Sequence, residues 1–87
     1  MSNPYQQSNE PYPNQKPVPV ICSFDGEGHM HPTHVRINGE AYKIHSSCEK
    51  PSFAHAAVFQ CQVEDHGILK QLTLEYRYRE HLWLMPR

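Results

Sequence analysis

Of the residue types that do chemistry, histidine is the most over-represented, and His29-Met30-His31-Pro32-Thr33-His34 is the densest cluster of the chain's seven. In extended backbone, side chains alternate sides with period two, so His29 and His31 point the same way. Two imidazoles on one side are a possible grip for zinc, nickel or copper. His34 has the opposite parity, but Pro32 can break the register and bring it round to complete a metal set of His29, His31 and His34. The competing reading is a run of solvated loop histidines beside a glycine turn. His45, His55, His66 and His81 stand singly and read as surface or loop residues.

The thiols are Cys22, Cys48 and Cys61, an odd number with no Cys-x-x-Cys and no framework spacing. Reduced thiols in a cytoplasmic protein are the natural reading. Cys22 and Cys61 fall at inward positions of expected strands, where cysteine acts as a small hydrophobe. Cys48 falls in an expected loop, three residues from His45. A nucleophile pair would need a third orienting group and an oxyanion site, and neither is evident. Glu64-Asp65 leads into a turn and reads as a solvated pair. Gly-rich phosphate loops, nucleophile elbows and His-Glu-x-x-His are absent from the sequence.

The basic residues offer one further candidate. Alternation through Leu72-Thr73-Leu74-Glu75-Tyr76-Arg77-Tyr78-Arg79 puts Tyr76 and Tyr78 on the core side and Arg77 and Arg79 on the water side. With Arg36 and Lys43 they could form a face that meets phosphate, as small barrels do with single-stranded nucleic acid. Glu75 and Glu40 lie nearby and weaken it. Trp83 is expected in the core with the tyrosines. The net charge of −1, with histidine neutral, does not imply strong attraction to polyanions or anionic lipid.

Short strands must position these residues. The first is expected over Val18 to Phe24, with Val18, Val20, Cys22 and Phe24 inward, and ends at the Asp25-Gly26-Glu27-Gly28 turn. A second runs from Thr33 to Ile37, with Pro32 at its start or on a free edge. Asn38-Gly39 between alternating runs is the strongest hairpin signal, because a type I′ turn needs φ > 0 at both central positions. The third strand is Glu40 to His45, followed by a loop through Ala54 around Pro51, where residues 52–57 could make one helical turn. Val58 to Glu64 is the fourth, with Phe59, Cys61 and Val63 inward. The Asp65-His66-Gly67 turn leads to the fifth, Leu72 to Arg79, and Leu82 to Met85 is the last, stopped by Pro86.

Residues 1–17 differ. They hold Pro4, Pro11, Pro13 and Pro17 among Asn and Gln, and no Val, Ile, Leu or Phe occurs before Val18. Such a segment cannot bury enough apolar surface to offset its ordering entropy and is expected to be a disordered tail. The remaining residues 18–87 form a single small β domain, roughly 70 residues and hence of marginal stability. The expected fold is all-β: a small meander barrel or strongly twisted sheet of five to six antiparallel strands. Closure would remove exposed edges. The opening residues carry no charged-then-apolar leader and no apolar run is long enough to span a bilayer, which favours a cytoplasmic protein without membrane contact.

The run Val18-Pro19-Val20-Ile21-Cys22-Ser23-Phe24-Asp25-Gly26, with Gly28, Pro32, Val35, Gly39, Tyr42 and Ile44, then Phe59, Cys61, Val63, the tyrosine-bearing strand and Trp83, resembles a group of small bacterial β-proteins. That resemblance covers most of the folded part and implies no activity. Some relatives in the group sit near DNA-repair polymerases, which implies a nucleic-acid link. No functional residue carries over from it.

Size, near-neutral charge and the missing catalytic motifs point to a non-enzymatic binding or interaction module with a macromolecular partner, monomeric or homodimeric. The alternatives are transition-metal binding by His29, His31 and His34 and a nucleic-acid accessory role through Arg36, Lys43, Arg77 and Arg79.

Overall fold

The computed structural model describes residues 12–51 and 54–87. The described residues are all-β, with seven antiparallel strands and no helix: β1 (Gln15–Pro17), β2 (Val20–Phe24), β3 (Met30–Ile37), β4 (Glu40–Lys50), β5 (Ala56–Asp65), β6 (Ile68–Arg77) and β7 (Leu82–Pro86). They form one sheet in the order β1-β7-β6-β5-β4-β3-β2.

That order shows why there are seven strands rather than five or six. β1 borders β7 at one end of the sheet, and β2 borders β3 at the other. Only Val18 and Pro19 separate β1 from β2, so one extended segment borders both ends. Val18 N donates to Trp83 O at 3.0 Å, and Arg36 N donates to Pro19 O at 3.0 Å. The sheet is therefore rolled into a half-open barrel. Pro17 and Pro19 have no N–H to continue either ladder, which explains the change of partner between them. Lys16 Nζ also reaches Asn38 Oδ1, at 3.4 Å, on the β3–β4 turn.

The sheet begins at Gln15, three residues inside the segment expected to be a tail. Strand pairing there does not depend on apolar side chains: Gln15 pairs with Pro86, and Gln15 Nε2 donates to Glu75 Oε1 at 3.0 Å. The expectation of disorder over residues 1–11 lies outside the described residues.

The Asn38-Gly39 turn has φ of 52° and 83°, as a type I′ hairpin requires. His66-Gly67 repeats it with 53° and 84°, so β6 starts at Ile68 rather than Leu72. Two bulges change the expected strand bounds. Ile44 pairs with Val63 but Ser46 with Gln62, leaving His45 as the extra residue. Beyond it the strand continues to Lys50 where a loop was expected. The polar run Ser46-Ser47-Cys48-Glu49 carries no alternation to reveal it. Ile21 pairs with His34 but Cys22 with Pro32, leaving Thr33 as the extra residue. Pro32 thus lies inside β3, tolerated at a bulge. Of the expected helical turn, Ala56 and Ala57 are in β5, and Ser52 and Phe53 lie outside the described residues.

The core lies inside the roll: Val18, Val35, Ile44, Ala57, Phe59, Cys61, Val63 and Leu74 form one buried cluster, drawn from four strands and the β1–β2 link. Each fully buried Leu or Phe contributes about 1.5 to 3 kcal/mol. The outside of β5–β7 is also partly covered. Ala56 and Leu84 are fully buried there, and Glu75 and Arg77 are half-buried.

Candidate functional site

The histidine cluster is organised by an acid. Asp25 closes the β2–β3 turn: its Oδ1 accepts the backbone N–H groups of Glu27 at 2.8 Å and His29 at 2.9 Å. Its Oδ2 lies 3.2 Å from His29 Nδ1 and 3.1 Å from His31 Nε2. His29 and His31 therefore share one side, as their spacing requires, and converge on the same oxygen. The Thr33 bulge also shifts parity, so His34 stands outward like His31. Its Nδ1 is nevertheless 3.1 Å from Thr33 Oγ1, on a different partner. Among the described residues no three His, Cys, Asp or Glu side chains are placed to hold a metal ion together.

Hydrogen bonds from the His29 backbone and the His31 ring, with smaller help from Glu27, hold the Asp25 carboxyl well below the usual aspartate range. A depressed folded-state pKa stabilises the fold above the ordinary value near 3.8 and loses that effect as pH falls through the folded value. Asp25→Asn should thus melt below wild type at neutral pH, with the gap narrowing as pH drops under about 4. Thermal melts across pH 2 to 7, as a planned range of about five units, read this directly.

The four cations fall into two groups. Lys43 pairs opposite His34 and Arg36 opposite Ala41 on the outside of β3–β4. Arg77 ends β6 and Arg79 follows in the turn to β7, with β5 between the groups. Arg77 is not on an open water face. Its guanidinium donates to Glu75 Oε2 at 3.0 Å, lies 3.8 Å from Glu80 and sits 5.6 Å from the centre of the Tyr12 ring.

Cys48 is exposed, and its thiol points to Glu49 O. His45 is taken by Glu64, at 2.5 Å, so the two do not form a pair. Burial pushes the Cys61 thiol up to about 11, and also raises Cys22. Iodoacetamide should alkylate Cys48 in the native protein and leave Cys61 unmodified until the fold opens, as mass spectrometry of labelled peptides would show.

A different site emerges at one end of the roll. Phe24 has the expected inward parity, yet it is 65% exposed because it ends β2 beyond the covered core. Tyr78, expected in the core, is 42% exposed. It follows Arg77, the last β6 residue paired with β7, so on that side no described strand covers its ring. Between them is an open cavity of about 480 Å³, lined by Phe24, His29, Glu49, Tyr76, Tyr78 and His81 among others. Three of its lining rings, Phe59, Tyr76 and Tyr78, belong to a packed aromatic chain that also contains Trp83. Phe59 and Trp83 have ring centres 5.6 Å apart, Trp83 and Tyr76 5.0 Å, and Tyr76 and Tyr78 5.8 Å with planes at 78°. Such tilted and edge-on pairs suit the ring quadrupoles. Tyr76 Oη is 3.2 Å from His81 Nδ1, and His81 holds φ of 57° in the turn between β6 and β7.

Asp25 connects the two features. Its turn fixes the Phe24–Met30 strand pair, which forms the opposite lip of the mouth. Parity reasoning identified the inward aromatics but missed that the last inward residue of an unpaired strand end overhangs the core. Phe24, directly before Asp25-Gly26, was the available signal.

No protein-family model, no curated protein and no solved structure matches the chain. Among the described residues, no helix is long and apolar enough to cross a membrane.

Proposed function

We infer that this chain is a non-enzymatic binding module that engages a macromolecular partner through the aromatic mouth of its half-open barrel. The observation that supports the reading is the open cavity flanked by Phe24 and Tyr78, whose rings remain largely in water. Exposed aromatic surface carries a hydration cost that a partner relieves, and rigid aromatics in a concavity are the usual anchors of recognition. Behind them Trp83 packs between Phe59 and Tyr76, which supports the wall.

Capture of partners on immobilised protein tests the reading. Phe24→Ser with Tyr78→Ser should abolish the captured species, whereas Ile21→Ser, on the outer face of β2, should not. Capture that survives the double change but fails with Ile21→Ser would overturn it.

A further inference from the structure

The walls of the mouth favour one kind of ligand group. We propose that it takes an alkylammonium group, presented as a methylated lysine side chain on an extended segment of the partner; this rests on the binding-module reading above. Tyr76 and Tyr78 meet nearly at right angles, and both line the cavity with Phe24 from β2. Aromatic faces attract a cation through their quadrupole, and an alkylated ammonium, which is weakly hydrated, gains most.

Charge agrees with this. Glu49 lies opposite Phe59 in the β4–β5 ladder and lines the cavity, and no Lys or Arg among the described residues does so. No described residue forms an ion pair or hydrogen bond with the Glu49 side chain, so a carboxylate with no described salt-bridge partner lines the same cavity as the aromatic rings. A phosphate or carboxylate ligand would meet Glu49 unfavourably.

The partner segment follows from the strand edge. Among the described residues β2 is the last strand in the sheet order and pairs only with β3, so no described strand pairs with its other edge, beside Phe24. An extended chain can add to such an edge while directing alternate side chains inward. A smaller crevice formed by Cys22, Phe24, Met30, Tyr76 and Trp83 adjoins the mouth along that line and can accept a neighbouring apolar side chain.

Trp83, the chain's single tryptophan, reports on the site by fluorescence. Four probes are titrated: a short peptide with one trimethyl-lysine, the same peptide with lysine, the same with norleucine, and choline. The trimethyl-lysine peptide should bind at least about tenfold more tightly than the norleucine peptide. Glu49→Gln and Tyr78→Leu, both at exposed positions, should each weaken it severalfold without lowering the melting temperature. Equal binding of the norleucine peptide would overturn the cation assignment while leaving an apolar-binding mouth in place. Choline binding as tightly as the peptide would overturn the partner segment in favour of a free small molecule. No response to any of the four would overturn the proposal outright.

Discussion

Leu74→Ala should cost about 3 to 4 kcal/mol and leave the fold only marginally stable at room temperature. Leu74 is fully buried in the centre of β6, faces Phe59 across the β5–β6 ladder and belongs to the one continuous core cluster. Truncation removes the transfer free energy of three carbons and leaves a cavity that a small barrel, with strands fixed by ladders on both sides, cannot close. A domain of this size has only about 5 kcal/mol of stability in total. Urea unfolding should show the midpoint falling by half or more, with Leu74→Met close to wild type because it conserves volume. A shift below about 1 kcal/mol would mean that the core is elsewhere.

Trp83→Ala should have a double effect. Trp83 packs against both Phe59 and Tyr76, and its carbonyl receives the Val18 N–H that joins β7 to the opposite end of the sheet. Losing the ring should cost about 3 kcal/mol and free Tyr76 to move into the space. The variant should therefore both melt earlier and fail to bind at the mouth. Trp83→Phe, which keeps an aromatic wedge, should recover most of the stability. Denaturant unfolding and partner capture on the same three proteins separate the two effects.

Much of this was legible in the sequence, for identifiable reasons. The hairpin at Asn38-Gly39 was readable because it rests on local φ requirements. The inward positions Val35, Ile44, Phe59, Cys61 and Val63 were readable because alternation survives wherever a strand has a partner on each side. What escaped was non-local. Gln15–Pro17 joins the sheet through backbone pairing with β7, with no apolar signature of its own. The bulges at Thr33 and His45 reset parity by one residue, and the second concealed the polar half of β4. Tyr78 alternates correctly with Tyr76 and Leu74, but the strand beside it stops one residue too early to bury it.

The candidate site divides in the same way. The shared side of His29 and His31 followed from spacing, whereas their attachment to Asp25 depends on a turn that folds back four to six residues. Arg77 was placed on the correct face, but Tyr12, Glu75 and Glu80 occupy it, and that meeting is set by how β1 lies on β7. The aromatic mouth was invisible as a site because every one of its rings also fits a core pattern. Exposure, rather than residue type, distinguishes Phe24 and Tyr78 from Phe59.

The most direct measurement is site-specific photo-crosslinking with benzoylphenylalanine placed at position 78, in the mouth, or at position 21, on the outer face of β2. Both side chains are solvent-exposed, so both probes are tolerated and free to react. Crosslinks to a partner polypeptide from position 78 and none from position 21 are the predicted result. Crosslinks from position 21 alone would place the partner on the outside of the barrel and contradict the assignment of the mouth as the binding site.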